Sequence, residues 1–317
     1  MGKQIDNVIL LYDYSDENLK ICKKVFPDCV CAGICANLQM QITVPIYKSI
    51  EQAITQTFVN ALFIVIKNYK KFDLDTFHNE IVKYNDYIKK IYIASICSPN
   101  INIIRSWLKK MKGFKIEFID LMQYGFNDLY SIQMSTEMPW YCENMDEDIF
   151  TAINEVNVPR GSKILDLGTG SGHQAFYLAE MGFKVTATDI SKEAFVINED
   201  ELSFSFVVDD ILNTQLTDEY EYICDRGCFH NIHPESRENY VKTVHRLLNP
   251  SGMLILKSLW CRNVIPRKSQ PYSLRKDMLN DYFMPYFSIV YQRETFFQGK
   301  YLERNEMPAL ISVFKKR

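Results

Sequence analysis

The run from Ser162 to Ala179 sets an apolar segment, Ile164-Leu165-Asp166-Leu167, directly before glycines at three alternate positions, Gly168, Gly170 and Gly172, and the apolar Phe176, Leu178 and Ala179 directly after them. An apolar strand, a glycine-rich turn and a helix in that order restrict the fold more than any other part of the chain. The glycines permit a tight turn and a close approach of ligand to backbone. A strand feeding a helix in this way builds a parallel sheet with helical crossovers. The loop alone does not choose its ligand, because dinucleotide enzymes use similar spacing. Asp166 stands at the end of the strand, directly before the loop.

The next strands extend the pattern. Lys184 to Thr188 leads to Asp189, about 20 residues beyond the loop, where an acid can accept hydrogen bonds from ribose hydroxyls. Phe204 to Val208 leads to Asp209-Asp210-Ile211, in which both acids can also be read as turn residues closing a strand. Tyr220 to Cys224 leads to Asp225-Arg226-Gly227-Cys228-Phe229-His230, then a helical stretch to Leu248 and an Asn249-Pro-Ser-Gly252 turn.

Asp166-Leu-Gly-Thr-Gly-Ser-Gly172 resembles the first motif of class I S-adenosylmethionine-dependent methyltransferases. The Asp225-Arg-Gly-Cys-Phe-His230 string and the Leu-Asn-Pro-x-Gly turn resemble a small-molecule branch near the thiopurine S-methyltransferase and tellurite-resistance groups. Met138-Pro139-Trp140 stands about 30 residues before the loop, where thiopurine-type enzymes have a Pro-Trp closing over the cofactor. The resemblance covers residues 137–317. It implies a seven-stranded sheet with an antiparallel last strand, and S-adenosylmethionine as cofactor. It also implies cofactor contacts from Trp140, Asp166, Gly168, Thr169, Gly170, Gly172, Asp189, Ile190, Asp210, Ile211, Asp225 and Arg226. His230 is the candidate general base for an acceptor that must lose a proton, with a cap or supporting role as its structural alternative. The expected acceptor is a small molecule with an oxygen, nitrogen or sulfur nucleophile. A cofactor-binding protein acting through its N-terminal part is the competing reading.

Residues 1–120 alternate strands near Asn7 to Tyr12, Cys29 to Ala36, Ala61 to Lys67, Ile91 to Cys97 and Lys115 to Asp120 with helices at Glu17 to Val25, Ser49 to Gln56, Asp75 to Lys89 and Asn100 to Lys112. This predicts a second α/β Rossmann-like domain, loosely similar to CoA-binding and oxidoreductase domains, with residues 121–136 as a linker. Its first strand runs into Asp13-Tyr-Ser-Asp-Glu17, acids without glycine, so no pyrophosphate site is expected. Such a domain is expected to shape substrate access or a homodimer contact.

Composition excludes several partners. A net charge of -3 gives no broad attraction to a phosphate backbone, and the cluster Lys109, Lys110, Lys112 and Lys115 reads as the solvated end of a helix. Nucleic acid is not expected as a partner. No apolar run approaches the ~20 residues that span a bilayer, and Asp6, Asp13 and Asp16 interrupt the early apolar run, so no membrane partner and a cytoplasmic location are expected. The 9 cysteines do not form a disulfide framework in a chain this long. Cys29, Cys31 and Cys35 lack a second ligand pair, and His230 and His233 lack a partner at a recognisable offset, so no metal is expected.

Overall fold

In the computed structural model, the structure describes residues 8–34, 44–57, 59–66, 72–96, 101–197, 203–263, 270–300 and 307–317. The chain divides into two compact units, Met1–Leu121 and Met122–Arg317. Asn7, Cys35, Ala36, Lys67, Cys97 and Asn100, which the sequence pattern puts at the ends of elements, lie outside the described residues.

The first unit contains β1 (Val8–Leu11), α1 (Asp16–Val25), β2 (Val30–Ile34), β3 (Ile46–Tyr47), α2 (Ile50–Gln56), β4 (Ala61–Val65), α3 (Leu74–Ile81), β5 (Lys90–Ser95), α4 (Ile101–Lys110) and β6 (Lys115–Asp120). All paired strands are parallel, in the order β3-β2-β1-β4-β5-β6. This is the order of a doubly wound dinucleotide fold. The helices begin where the sequence supplies caps: the side chains of Ser15, Ser49 and Asp73 accept the backbone N–H three residues on. The helix expected to reach Lys89 stops at Ile81 and continues only as a 3-10 turn to Tyr84. The chain must turn there to start β5, and the Lys89 N–H already donates to Asn60 O at 3.1 Å.

The turn after β1 closes over itself. Tyr14 is buried, its hydroxyl donates to Asp16 Oδ1 at 3.0 Å, and a Cβ added at Gly33 would come within 2.5 Å of its ring. An aromatic ring and two acids in the first turn of α1 thus take the place where a dinucleotide fold receives phosphate.

The second unit contains α5 (Phe126–Ile132), α6 (Glu147–Glu155), β7 (Lys163–Leu167), α7 (His173–Glu180), β8 (Lys184–Asp189), β9 (Ser205–Val208), β10 (Tyr220–Arg226), α8 (Arg237–Leu247), β11 (Leu248–Leu259), α9 (Lys276–Phe283), β12 (Phe287–Phe296) and β13 (Pro308–Lys316). Its seven strands run in the order β12-β13-β11-β10-β7-β8-β9. The pairs from β11 to β9 are parallel, whereas β13 lies antiparallel to both β11 and β12. The predicted seven-stranded sheet with a reversed last strand is therefore present. One apolar layer packs around Tyr240, Phe283, Phe287 and Phe314, the other around Ile149, Ile164, Leu178 and Ile255. Among the described residues, no helix is long and apolar enough to cross a membrane.

Candidate active site

The site grows from the ends of β7 and β8, which lie side by side with Asp166 paired to Ala187. Beyond β7 the chain must reverse into α7, and Gly168, Gly170 and Gly172 take φ of 65°, 56° and 88° to do so. At Gly172 space is also short, since a Cβ there would lie 2.4 Å from the Phe195 ring. The loop is held from both sides. The Thr169 N–H donates to Thr188 O at 2.8 Å and the Gly170 N–H to Asp189 Oδ2 at 2.9 Å.

Asp166 is 1 % exposed and accepts from Thr169 Oγ1 at 2.6 Å and Gln174 Nε2 at 2.5 Å. Burial pushes its pKa up to about 6 against the pull of those two donors, and the nearby Asp189 charge adds to the rise. Asp189 is also buried and raised by desolvation, partly offset by N–H donors from Ser191, Gly170 and Ile190. Two carboxylates made costly to ionise, with Gln174 Oε1 buried and without a hydrogen-bond partner among the described residues, form an acceptor-rich corner. A ligand that brings an ammonium and hydroxyl donors fits it.

Ile190, next to Asp189, is 53 % exposed and leaves an apolar side chain open to a ligand. Trp140 is half-buried. Its Nε1–H donates to Tyr130 Oη at 3.1 Å, and its ring meets Phe126 and Tyr130 edge to face. Residues 121–136, expected as a linker, thus include α5, whose Tyr130 lies 3.9 Å from the Cβ position of Gly170 and feels the charge of Asp189. Sequence pattern missed Tyr130 and Gln174. The place of Gln174 in the first turn of α7, directly after the glycine loop, was its signal; Tyr130 had none.

Other expected contacts have different occupations. Asp210 uses both carboxylate oxygens to close its own turn, accepting from Leu212 N–H and Asn213 Nδ2 at 2.9 Å each, so the turn reading describes it. Its neighbour Asp209 keeps Oδ2 buried and unpartnered among the described residues. Ile211 is buried in the core layer around Tyr240. Asp225 is fully buried and accepts from Cys228 N–H at 2.7 Å, Phe229 N–H at 2.9 Å and the Tyr240 hydroxyl. It shapes the turn after β10 and is closed off from solvent there.

Arg226 likewise serves the frame. It donates to Asp146 Oδ2 at 2.7 Å, Gln298 O at 2.6 Å and Trp140 O at 3.3 Å. Asp146 also receives the buried Lys257 Nζ at 2.8 Å, and Lys257 reaches Asp148 at 2.6 Å. The network holds the carbonyl of Trp140 in place, so Arg226 positions the aromatic residue.

The general-base role expected for His230 does not suit its surroundings. Its Nδ1 accepts the Leu259 N–H at 3.2 Å, which puts the proton of the neutral ring on Nε2. Burial, then Arg226 and Arg237, push its pKa down to about 3. The ring presents a donor. Beside it Arg237, 3 % exposed, lies among Phe229, Tyr272 and Tyr282 with Nη2 unpartnered among the described residues.

Comparison with known proteins agrees with this geometry. Residues 164–252 match the model of a methyltransferase domain family. The chain is similar to EEF1A lysine methyltransferase 2 of Danio rerio, 27% identical over 54% of this chain and 75% of the relative. It is also similar to thiocyanate methyltransferase 1 of Arabidopsis thaliana, 31% identical over 37% of this chain and 54% of the relative. The chain therefore spans between about half and three quarters of these relatives. Among solved structures, a methyltransferase from Anabaena variabilis superposes with a TM-score of 0.50 at 20% identity, covering 63% of this chain and 96% of that one. A protein from work on the conversion of a disulfide bond into a thioacetal group during echinomycin biosynthesis gives 0.51 at 22%, covering 62% and 92%. With its strand order, glycine loop and paired acids, the C-terminal unit is a class I S-adenosylmethionine-dependent methyltransferase domain.

Proposed function

We propose that this domain transfers the methyl group of S-adenosylmethionine to a small-molecule nucleophile that is already deprotonated at neutral pH. Asp189 receives the ribose hydroxyls, Asp166 and Gln174 face the amino-acid end, the turn from Gly168 to Gly172 gives it room, and Ile190 lies against the adenine. The observation that carries the cofactor placement is the acceptor-rich corner of Asp166, Asp189 and Gln174 Oε1, the last unpartnered among the described residues. The cofactor supplies a methyl group on a sulfonium, and its transfer is an in-line displacement that depends mainly on alignment. Trp140, fixed by Tyr130 and by Arg226, covers that position and excludes water.

The nature of the acceptor follows from what the end of β10 lacks and offers. His230 Nδ1 is taken by the Leu259 N–H and Asp225 is fully buried among the donors of its own turn, whereas the buried guanidinium of Arg237 suits a negatively charged acceptor. The likeness to a thiocyanate methyltransferase supports this reading. A lysine side chain of a protein is the second reading, supported by the likeness to EEF1A lysine methyltransferase 2. Mixing the purified chain and S-adenosylmethionine with thiolates, soft inorganic anions, amines and lysine-containing peptides, and measuring S-adenosylhomocysteine, separates them. Turnover on anions or thiolates supports the first; turnover confined to lysine peptides overturns it. The N-terminal unit contributes to substrate recognition or self-association, which residues 122–317 assayed alone would show as a change in KM or in oligomeric state.

A further inference from the structure

In the N-terminal unit three sulfurs converge, and one of them, Cys22, lies outside the strand run of Cys29, Cys31 and Cys35 that the sequence brought forward. Cys29 and Cys31 are two residues apart in extended chain and point to the same face. That face is covered by α1, which brings down Cys22 from its buried side. Cys29 Sγ lies 3.2 Å from Cys31 Sγ and 4.0 Å from Cys22 Sγ, and Cys31 and Cys22 are 3.8 Å apart. All three are free thiols, exposed by only 0 %, 2 % and 3 % for Cys22, Cys29 and Cys31. Their ligand atoms lie within 4.8 Å of one another.

We propose that Cys22, Cys29 and Cys31 form a three-thiolate site for one soft metal ion. A metal with bonds of about 2.3 Å to sulfur sets trigonal or tetrahedral thiolates roughly 3.8 to 4.0 Å apart. Two of the three sulfur separations already have that length, and only the Cys29 to Cys31 edge must open. A disulfide, with sulfurs about 2 Å apart, would use two of the cysteines and leave the third unexplained. Thiolates without nitrogen or oxygen ligands select soft cations such as Cd2+, Cu+ or Zn2+ over Mg2+ and Ca2+. The charge left on the site is moderated at its edge by Lys23, whose Nζ donates to Cys29 O at 2.5 Å. An ion can enter beside Cys29, because its chain neighbours Asp28 and Val30 are exposed. The expectation of no metal rested on reading Cys29 with Cys31 and Cys35. The missing ligand comes instead from seven residues upstream, on the helix.

The full chain, reduced and stripped with a chelator, is titrated with Cd2+ while thiolate-to-metal charge-transfer absorption is followed. One equivalent per chain is expected, with about tenfold or greater loss of affinity in each of Cys22→Ser, Cys29→Ser and Cys31→Ser and none in Cys261→Ser. A second measurement needs no variant. Bound Cd2+ should protect Cys22, Cys29 and Cys31 of the unaltered chain from alkylation, mapped by peptide mass. Absence of a saturable charge-transfer band, a band that persists in all three variants, or equal alkylation with and without Cd2+ would each overturn the site.

Discussion

Asp189 holds the loop and the proposed ribose contact with the same carboxylate, since Gly170 N–H and Ser191 N–H already occupy part of it. Asp189→Ala is expected to weaken S-adenosylmethionine binding by about tenfold to a hundredfold, the range for losing hydrogen bonds to a charged group. Isothermal titration measures it. Asp166 makes binding depend on pH. Its raised pKa means that the native protein without cofactor keeps a proton which the unfolded chain has released. This stabilising contribution is present at low pH and is lost as pH rises through about 6. A cationic ligand prefers the ionised form, so affinity should increase from about pH 5 to 7, with proton release on binding near the midpoint. Calorimetry in buffers of different ionisation enthalpy would detect that proton, and Asp166→Asn should abolish the dependence. The two acids and the glycines were legible in sequence because strand ends and φ demands leave residue-type signatures. The roles of Asp210, Asp225 and Arg226 were not, because an acid that closes a turn and an acid that meets a ligand look alike until their hydrogen bonds are counted.

At the level of elements, one buried carboxylate joins three of them. Asp146 caps α6, accepts Arg226 from β10 and accepts Lys257 from β11, with Lys257 fully buried. Asp146→Ala would leave a buried ammonium with only Asp148 and is expected to cost about 3 to 5 kcal/mol, measured by urea unfolding. A second prediction concerns the start of α7. Gly172→Ala combines a positive φ with a collision against Phe195, and should lower stability by about 1 to 3 kcal/mol while impairing cofactor binding. Nearly every strand and helix was visible as periodicity. β3 was not, because two residues carry no period, and α5 was passed over because its Gly125-Phe-Asn-Asp128 start reads as a turn. Both short elements draw their stability from packing that a local window of sequence does not contain.

For the whole molecule, the division into two units with separate cores predicts two unfolding transitions. S-adenosylmethionine at a hundred times its Kd should stabilise only the C-terminal transition, by about 2.7 kcal/mol, and leave the other unmoved. Scanning calorimetry with and without the cofactor checks this.

The position of β13 has a consequence for synthesis. Although made after β11 and β12, it is the strip that joins them, so neither neighbour can complete its pairing on that side until residues 308–316 have emerged. At about 5 to 20 residues per second the nascent domain carries an unsealed flank of β11 for several seconds. During that interval it is open to any chaperone, or any stray strand, that reaches it first.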